Sequence, residues 1–119
     1  MRFFTFIKGK ETDGPPPAGL MQAMEKFIAR NLADGTLVQT GGLAPTARGT
    51  RIRISKGKMN VTDGPFAEAK EVIGGYAILE SKSEEDALRV AKEFMQLHVD
   101  HWPEWEGESE VRQIDFLTP

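Results

Sequence analysis

Only two segments of this chain repeat their apolar residues at helical spacing, and both are enclosed by shorter runs that alternate with a period of two. Residues on a helix share a face every three or four positions and residues on a strand every two, so the two periods sort the chain into elements. The first helical stripe is Leu20, Met21, Met24, Phe27, Ile28 and Leu32, opposed by Glu25, Lys26 and Arg30. It starts only after Pro15-Pro16-Pro17, because consecutive prolines block helix and central sheet alike, and Asp34-Gly35 stops it. The second stripe is Ala87, Leu88, Ala91, Phe94 and Met95. Ser83 with Asp86 supplies a cap at its start, and Pro103 limits its length.

The alternating runs supply the strands. Residues 2–8 place Phe4 and Phe6 on one face and Phe3, Thr5 and Ile7 on the other. Residues 36–40 form a short strand. Residues 50–55 alternate clearly, with Ile52 and Ile54 inward, and Lys56-Gly57-Lys58 turns the chain into a returning strand at 59–62. Residues 72–80 are interrupted by Gly74-Gly75, which marks a bulge, and residues 110–117 close the chain as a last strand. The order strand, helix, strand, two hairpin strands, strand, helix, strand predicts one domain over 1–119. Its fold class is α+β, a ferredoxin-like sandwich with a mainly antiparallel sheet and both helices on one face. The other face would carry Phe4, Phe6, Tyr76 and Phe116, a patch large enough to require a second subunit, so a homodimer with sheets face to face is expected.

Composition narrows the chemistry. The chain is 39% hydrophobic with a net charge of −3, which favours a folded domain over a disordered one. It has no apolar run of about 18 residues, so a soluble cytoplasmic protein without membrane contact is expected. There is no cysteine, hence no disulfide, thiolate nucleophile or cysteine metal site. A pI near 5.4 argues against nucleic acid as a partner, because phosphate neutralisation needs a basic surface. The glycine pairs are not followed by the Lys-Ser/Thr of a phosphate loop, and no cofactor or metal is expected.

Two clusters remain as candidates for chemistry. His98 and His101 both extend the inward stripe beyond Phe94, beside Trp102, where an imidazole either exchanges protons near neutral pH or caps the last helical carbonyls. Asp63-Gly64-Pro65-Phe66 reads as a tight turn, or as a loop carboxylate raised toward neutrality by burial beside Phe66. In the catalytic reading Asp63 is the general base, His98 or His101 the acid, and Phe66 and Tyr76 the walls of a small-molecule pocket. Arg53, with Arg51 and Lys56, would attract an anionic ligand or simply form the wet face of its strand.

Val61-Thr62-Asp63-Gly64-Pro65-Phe66-Ala67-Glu68-Ala69-Lys70-Glu71, followed by Ile73-Gly74-Gly75-Tyr76, resembles the signature of the YCII-related family in its DGPF-domain branch. The similarity extends through the opening strand, residues 37–43 and residues 98–107. It implies a ferredoxin-like fold assembled as a dimeric α/β barrel, with a cleft on each subunit and no substrate common to the family. Some members resemble isomerase- or dechlorinase-like enzymes of oxygenated ring compounds, and many lie beside genes for extracytoplasmic-function sigma factors. The resemblance thus implies either a cofactor-independent acid/base enzyme for a small polar or aromatic metabolite, or a non-catalytic ligand-sensing partner in sigma-factor-dependent transcription. The histidine that the YCII branch carries on its first helix is replaced here by Met21, Met24 and Phe27, so an acid/base pair would have to come from Asp63 and the two later histidines.

Overall fold

The phenylalanine-rich opening run becomes an inner strand, β1 (Arg2–Gly9), flanked on both sides by antiparallel partners. The computed structural model describes residues 1–12 and 14–115. After β1 come α1 (Ala18–Ala33), β2 (Leu37–Gly42), β3 (Thr50–Ser55), β4 (Lys58–Asp63), β5 (Val72–Glu80), α2 (Glu84–His101) and β6 (Gly107–Gln113). The main sheet has the order β2-β5-β1-β6, all neighbours antiparallel, whereas β3 and β4 pair only with each other. This is the expected α+β, ferredoxin-like arrangement.

Strand alternation sets the two faces of the sheet. Phe3 and Leu79 point to the helices and join Phe27, Leu37, Ala87 and Val90 in the core. Phe4 points the other way and stacks on Tyr76, with ring centroids 5.8 Å apart, and the Phe6 centroid lies at the same distance from Phe4. The expected outer patch therefore contains Phe4, Phe6 and Tyr76; Phe116, and Leu117 of the last strand, lie outside the described residues. Gly74 is skipped in the β1–β5 register, which runs from Ile7 opposite Gly75 to Lys8 opposite Ile73, so the glycine pair does accommodate a bulge.

Local signals placed the helix ends well. Ser83 Oγ accepts from the Asp86 amide (3.2 Å) at the start of α2, and Gly35 takes φ +82° just beyond α1. The turn between β3 and β4 has left-handed φ at Lys56 and Gly57, as a tight hairpin requires. Three expectations fail. Met21, Leu32 and Leu88 are exposed rather than buried, because they sit at the margins of their stripes. Ile52 and Ile54 share one face of β3 as the alternation implies, yet nothing covers that face. The last strand begins at Gly107, earlier than 110, and ends at Gln113.

A cavity between the helices and the sheet

The helix layer and the sheet do not close on each other along their whole length. Between them lies a cavity of about 530 Å³, within the range of small-molecule sites. Its floor comes from β1 and β5 through Thr5, Ile7 and Ala77, and its roof from Met24, Phe27 and Asn31 of α1 and Ala91, Phe94 and His98 of α2. Most of this wall is apolar. Polar groups are few: Asn31 donates from Nδ2 to the Phe27 carbonyl (2.8 Å), and the hydroxyls of Thr5 and Ser109 share a hydrogen bond of 2.9 Å.

His98 is the group best placed for chemistry. It is buried, four residues after Phe94 on the inward stripe, and its ring sits edge-on to Phe94 and 4.7 Å from the centroid of Trp105. Burial pushes its pKa below the ordinary imidazole value, while the hydrogen bond to the Phe94 carbonyl opposes that shift without reversing it. The ring is therefore neutral at neutral pH, and as the neutral form it donates from Nδ1 to that carbonyl, 3.2 Å away. This bond leaves Nε2 unprotonated. Among the described residues Nε2 has no hydrogen-bond partner, and no fully buried side-chain nitrogen or oxygen lacks one, so Nε2 is not fully buried.

Tyr76 borders the cavity from β5, with its ring turned to Phe4 on the far face of the sheet and its carbonyl accepting from Thr40 Oγ1 (2.8 Å). Trp102 lines it at the end of α2, where its amide caps the His98 carbonyl at 2.8 Å. His101 does not. Three further residues keep it within about 60° of His98 around the helix, but it is the last residue of α2, where it is exposed with Nδ1 facing Gly19 of α1.

Asp63, Phe66 and Arg53 also lie off the cavity lining, so the expected pairing of Asp63 with a histidine does not form within one chain. The Asp63 carboxylate is exposed rather than buried beside Phe66, and Oδ1 accepts from Thr50 Oγ1 (3.2 Å) at the base of the β3–β4 hairpin. Gly64 presses against the Thr46 carbonyl so closely that a Cβ there would overlap its oxygen. Phe66 donates its amide to Thr46 Oγ1 (3.3 Å) and lies under the Arg51 guanidinium, 4.0 Å from its carbon, which also pairs with Glu68. Arg53 is an exposed outward group of β3. The Asp63–Phe66 loop thus buttresses the 3-10 turn Thr46–Arg48, whose first residue is on the cavity rim.

Thr46 is held from the other side by Glu11, whose two carboxylate oxygens accept from its amide (2.7 Å) and hydroxyl (2.6 Å). These bonds hold the Glu11 carboxyl below its usual range, against a smaller opposing effect of burial, so the rim keeps a negative charge. No spacing along the chain joins Glu11 to Thr46, which lie 35 residues apart. Asn31 was legible in principle, since it continues the Leu20, Met24, Phe27 stripe as a polar residue in an apolar register. Among the described residues no three histidine or acidic groups gather in a metal-binding cluster, and no helix is long and apolar enough to cross a membrane.

An uncharacterized protein of Rhizobium meliloti (strain 1021), R00369, is 29% identical over 110 residues, which cover 92% of this chain and 82% of that protein. The model of the YCII-related domain matches residues 1–98, which include β1 to β5, α1 and α2 as far as His98. The chain belongs to the YCII-related family.

Proposed function

We propose that the chain is an acid/base enzyme acting on a small, largely apolar ring compound held between the helix layer and the sheet. The observation that carries this reading is His98: an imidazole fixed as the Nδ1–H tautomer in an apolar wall, with Nε2 free to take a proton. In the reaction class it suits, an acidic C–H beside a carbonyl breaks, the proton goes to Nε2, and the electron pair moves to the carbonyl oxygen; return of the proton at another atom completes an isomerisation. Lowered basicity keeps Nε2 unprotonated down to mildly acidic pH. Asp63 serves this scheme by fastening the hairpin base and, through Gly64 and Phe66, the rim at Thr46. The Asp63-Gly64-Pro65-Phe66 motif is also the ground for placing the chain in the DGPF branch of its family.

The test does not require the natural substrate. A panel of small cyclic ketones and lactones is first ranked by thermal shift, and exchange of their acidic C–H in D2O is then followed by proton NMR. The wild type is expected to accelerate exchange on the compounds it binds, and His98→Gln to bind them while exchange falls roughly 10²-fold or more. Binding without any accelerated exchange favours a ligand-sensing partner instead. Exchange unchanged in His98→Gln rules out this base.

A further inference from the structure

The floor of the cavity carries two hydroxyls that the scheme for His98 leaves unused. Strand alternation puts Thr5 and Ile7 on the same side of β1 as Phe3, facing the helices, and Ser109 stands opposite Ile7 on β6. Thr5 and Ser109 are therefore diagonal neighbours on the inner face, and both line the cavity. Their oxygens lie 2.9 Å apart, and either can be the donor. A hydroxyl has one proton and two lone pairs. The bond between the two spends one proton of the pair, and among the described residues neither oxygen makes a second hydrogen bond. Whichever hydroxyl accepts keeps its own proton, and accepting strengthens it as a donor toward a third group.

Two other hydroxyls of the lining are committed elsewhere: Thr40 donates to the Tyr76 carbonyl and Thr46 to Glu11. His98 offers an acceptor at Nε2, since its Nδ1 proton goes to the Phe94 carbonyl. Roof and floor are thus complementary, and they lie over one another. Val90 of α2 shares the core cluster with Phe3 near the start of β1, and beyond the end of α2 the Trp105 ring fills the space beside Gly9 at the end of that strand. The helix therefore runs in the direction of β1. His98 follows Val90 by eight residues, about 12 Å of helix. The same distance along β1 leads from Phe3 to Ile7, the residue opposite Ser109. Around the hydroxyls the wall is apolar, through Ile7, Ala77 and Phe94, so a ligand oxygen that leaves water here needs a donor.

We propose that the Thr5–Ser109 pair is the carbonyl subsite of the cavity, which takes a ring ketone or lactone with its oxygen on these hydroxyls. The catalytic step rests on the role proposed for His98. The C–H proton goes to Nε2, the C–H electron pair becomes a carbon–carbon double bond, and the carbonyl π pair moves to oxygen. The hydroxyl hydrogen bond tightens onto that oxygen as it gains charge, while its O–H bond stays intact.

Cyclohexanone and methylenecyclohexane, which differ in the oxygen, probe the subsite in NMR titrations. Thr5→Val with Ser109→Ala removes both hydroxyls and is expected to lower the ratio of ketone to hydrocarbon affinity roughly 10-fold relative to wild type. Exchange of the ketone C–H in D2O should fall roughly 10²-fold. A ratio unchanged in the double variant, or cyclohexanone that does not bind the wild type, overturns the proposal. A second measurement needs only the wild type. The infrared carbonyl stretch of bound cyclohexanone, isotope-labelled at its carbonyl carbon, is expected below its position in hexane; a stretch at the hexane position overturns the subsite. The two proposals fail separately. Exchange that survives His98→Gln removes the base and leaves the subsite standing on the affinity ratio and the stretch. Exchange lost in His98→Gln but kept, with the full ratio, in the double variant removes the hydroxyls and leaves the base.

Discussion

A buried imidazole resists protonation, and at His98 that resistance ties stability to pH. Burial depresses its pKa in the folded chain below the ordinary value near 6.5, so between the two values the unfolded chain binds more protons than the folded one. The stabilising contribution of the neutral ring is complete above the unfolded value and is lost as pH falls through the folded one. The melting temperature of the wild type should therefore drop from pH 7.5 to pH 5, and His98→Gln should shrink that drop, as read by scanning calorimetry at both pH values. Gly64 tests another residue-scale claim. Its missing Cβ makes room for the Thr46 carbonyl, and because backbone cannot swing aside, Gly64→Ala should cost about 3 kcal/mol. Gly74, with nothing near its absent Cβ, should accept alanine at a cost within about 0.5 kcal/mol. Chemical denaturation of the two variants separates these outcomes; equal losses would mean that the motif glycine serves only local turn geometry. The turn chemistry of Gly64 is legible in the sequence, but the demand on it comes from a residue 18 positions earlier, which spacing along the chain cannot express.

At the scale of elements, the legible features were those whose causes are local. Ser83 followed by Asp86 declared the start of α2, and the structure makes the corresponding cap. Ser83→Ala leaves that amide without its side-chain acceptor and should lower stability by about 1 kcal/mol, with Ser83→Asp restoring most of it in the same denaturation experiment. Restoration by glycine alone, without an acceptor, would show that backbone conformation rather than the hydrogen bond matters. His98 was legible for a related reason, since it continues a stripe that must face the sheet. His101 was misplaced because one more turn takes the helix beyond the layer it packs on. The hairpin shows the limit most clearly: alternation correctly put Ile52, Ile54, Met59 and Val61 on one face, but periodicity reports that a strand is one-sided and says nothing about what lies on that side. Asp63 stays open between turn and general base through the same gap. Its turn was recognised, whereas the direction in which the hairpin leaves the sheet, and hence its absence from the cavity lining, depends on residues 43–49, where no period exists.

The molecule as a whole spends its interior unusually. Phe3 and Leu20 are the only large side chains with essentially no exposure among the described residues, because much of the space in which two layers would normally interdigitate is the cavity itself. A void lined by Phe27, Ala77, Ala91 and Phe94 withholds contacts that close packing would otherwise make, so an occupant that fits should stabilise the fold directly. At a free concentration 100-fold above its dissociation constant, such a ligand adds about 2.7 kcal/mol, or roughly 10 °C in melting temperature for a domain of this size. Ala91 provides the converse experiment. It sits on the α2 side of the cavity and is nearly buried, so leucine there would extend into open space, gaining at most about 2 kcal/mol from apolar burial. The expected result of Ala91→Leu is a free protein that melts higher than wild type and a ligand response that shrinks or vanishes, both measured by calorimetry. These opposite signs are diagnostic: a substitution that merely damaged packing would lower the melting temperature, and one remote from the ligand would leave the response intact. A lower melting temperature together with a full ligand response would place the occupied space elsewhere than beneath α2, and with it remove His98 from contact with whatever binds.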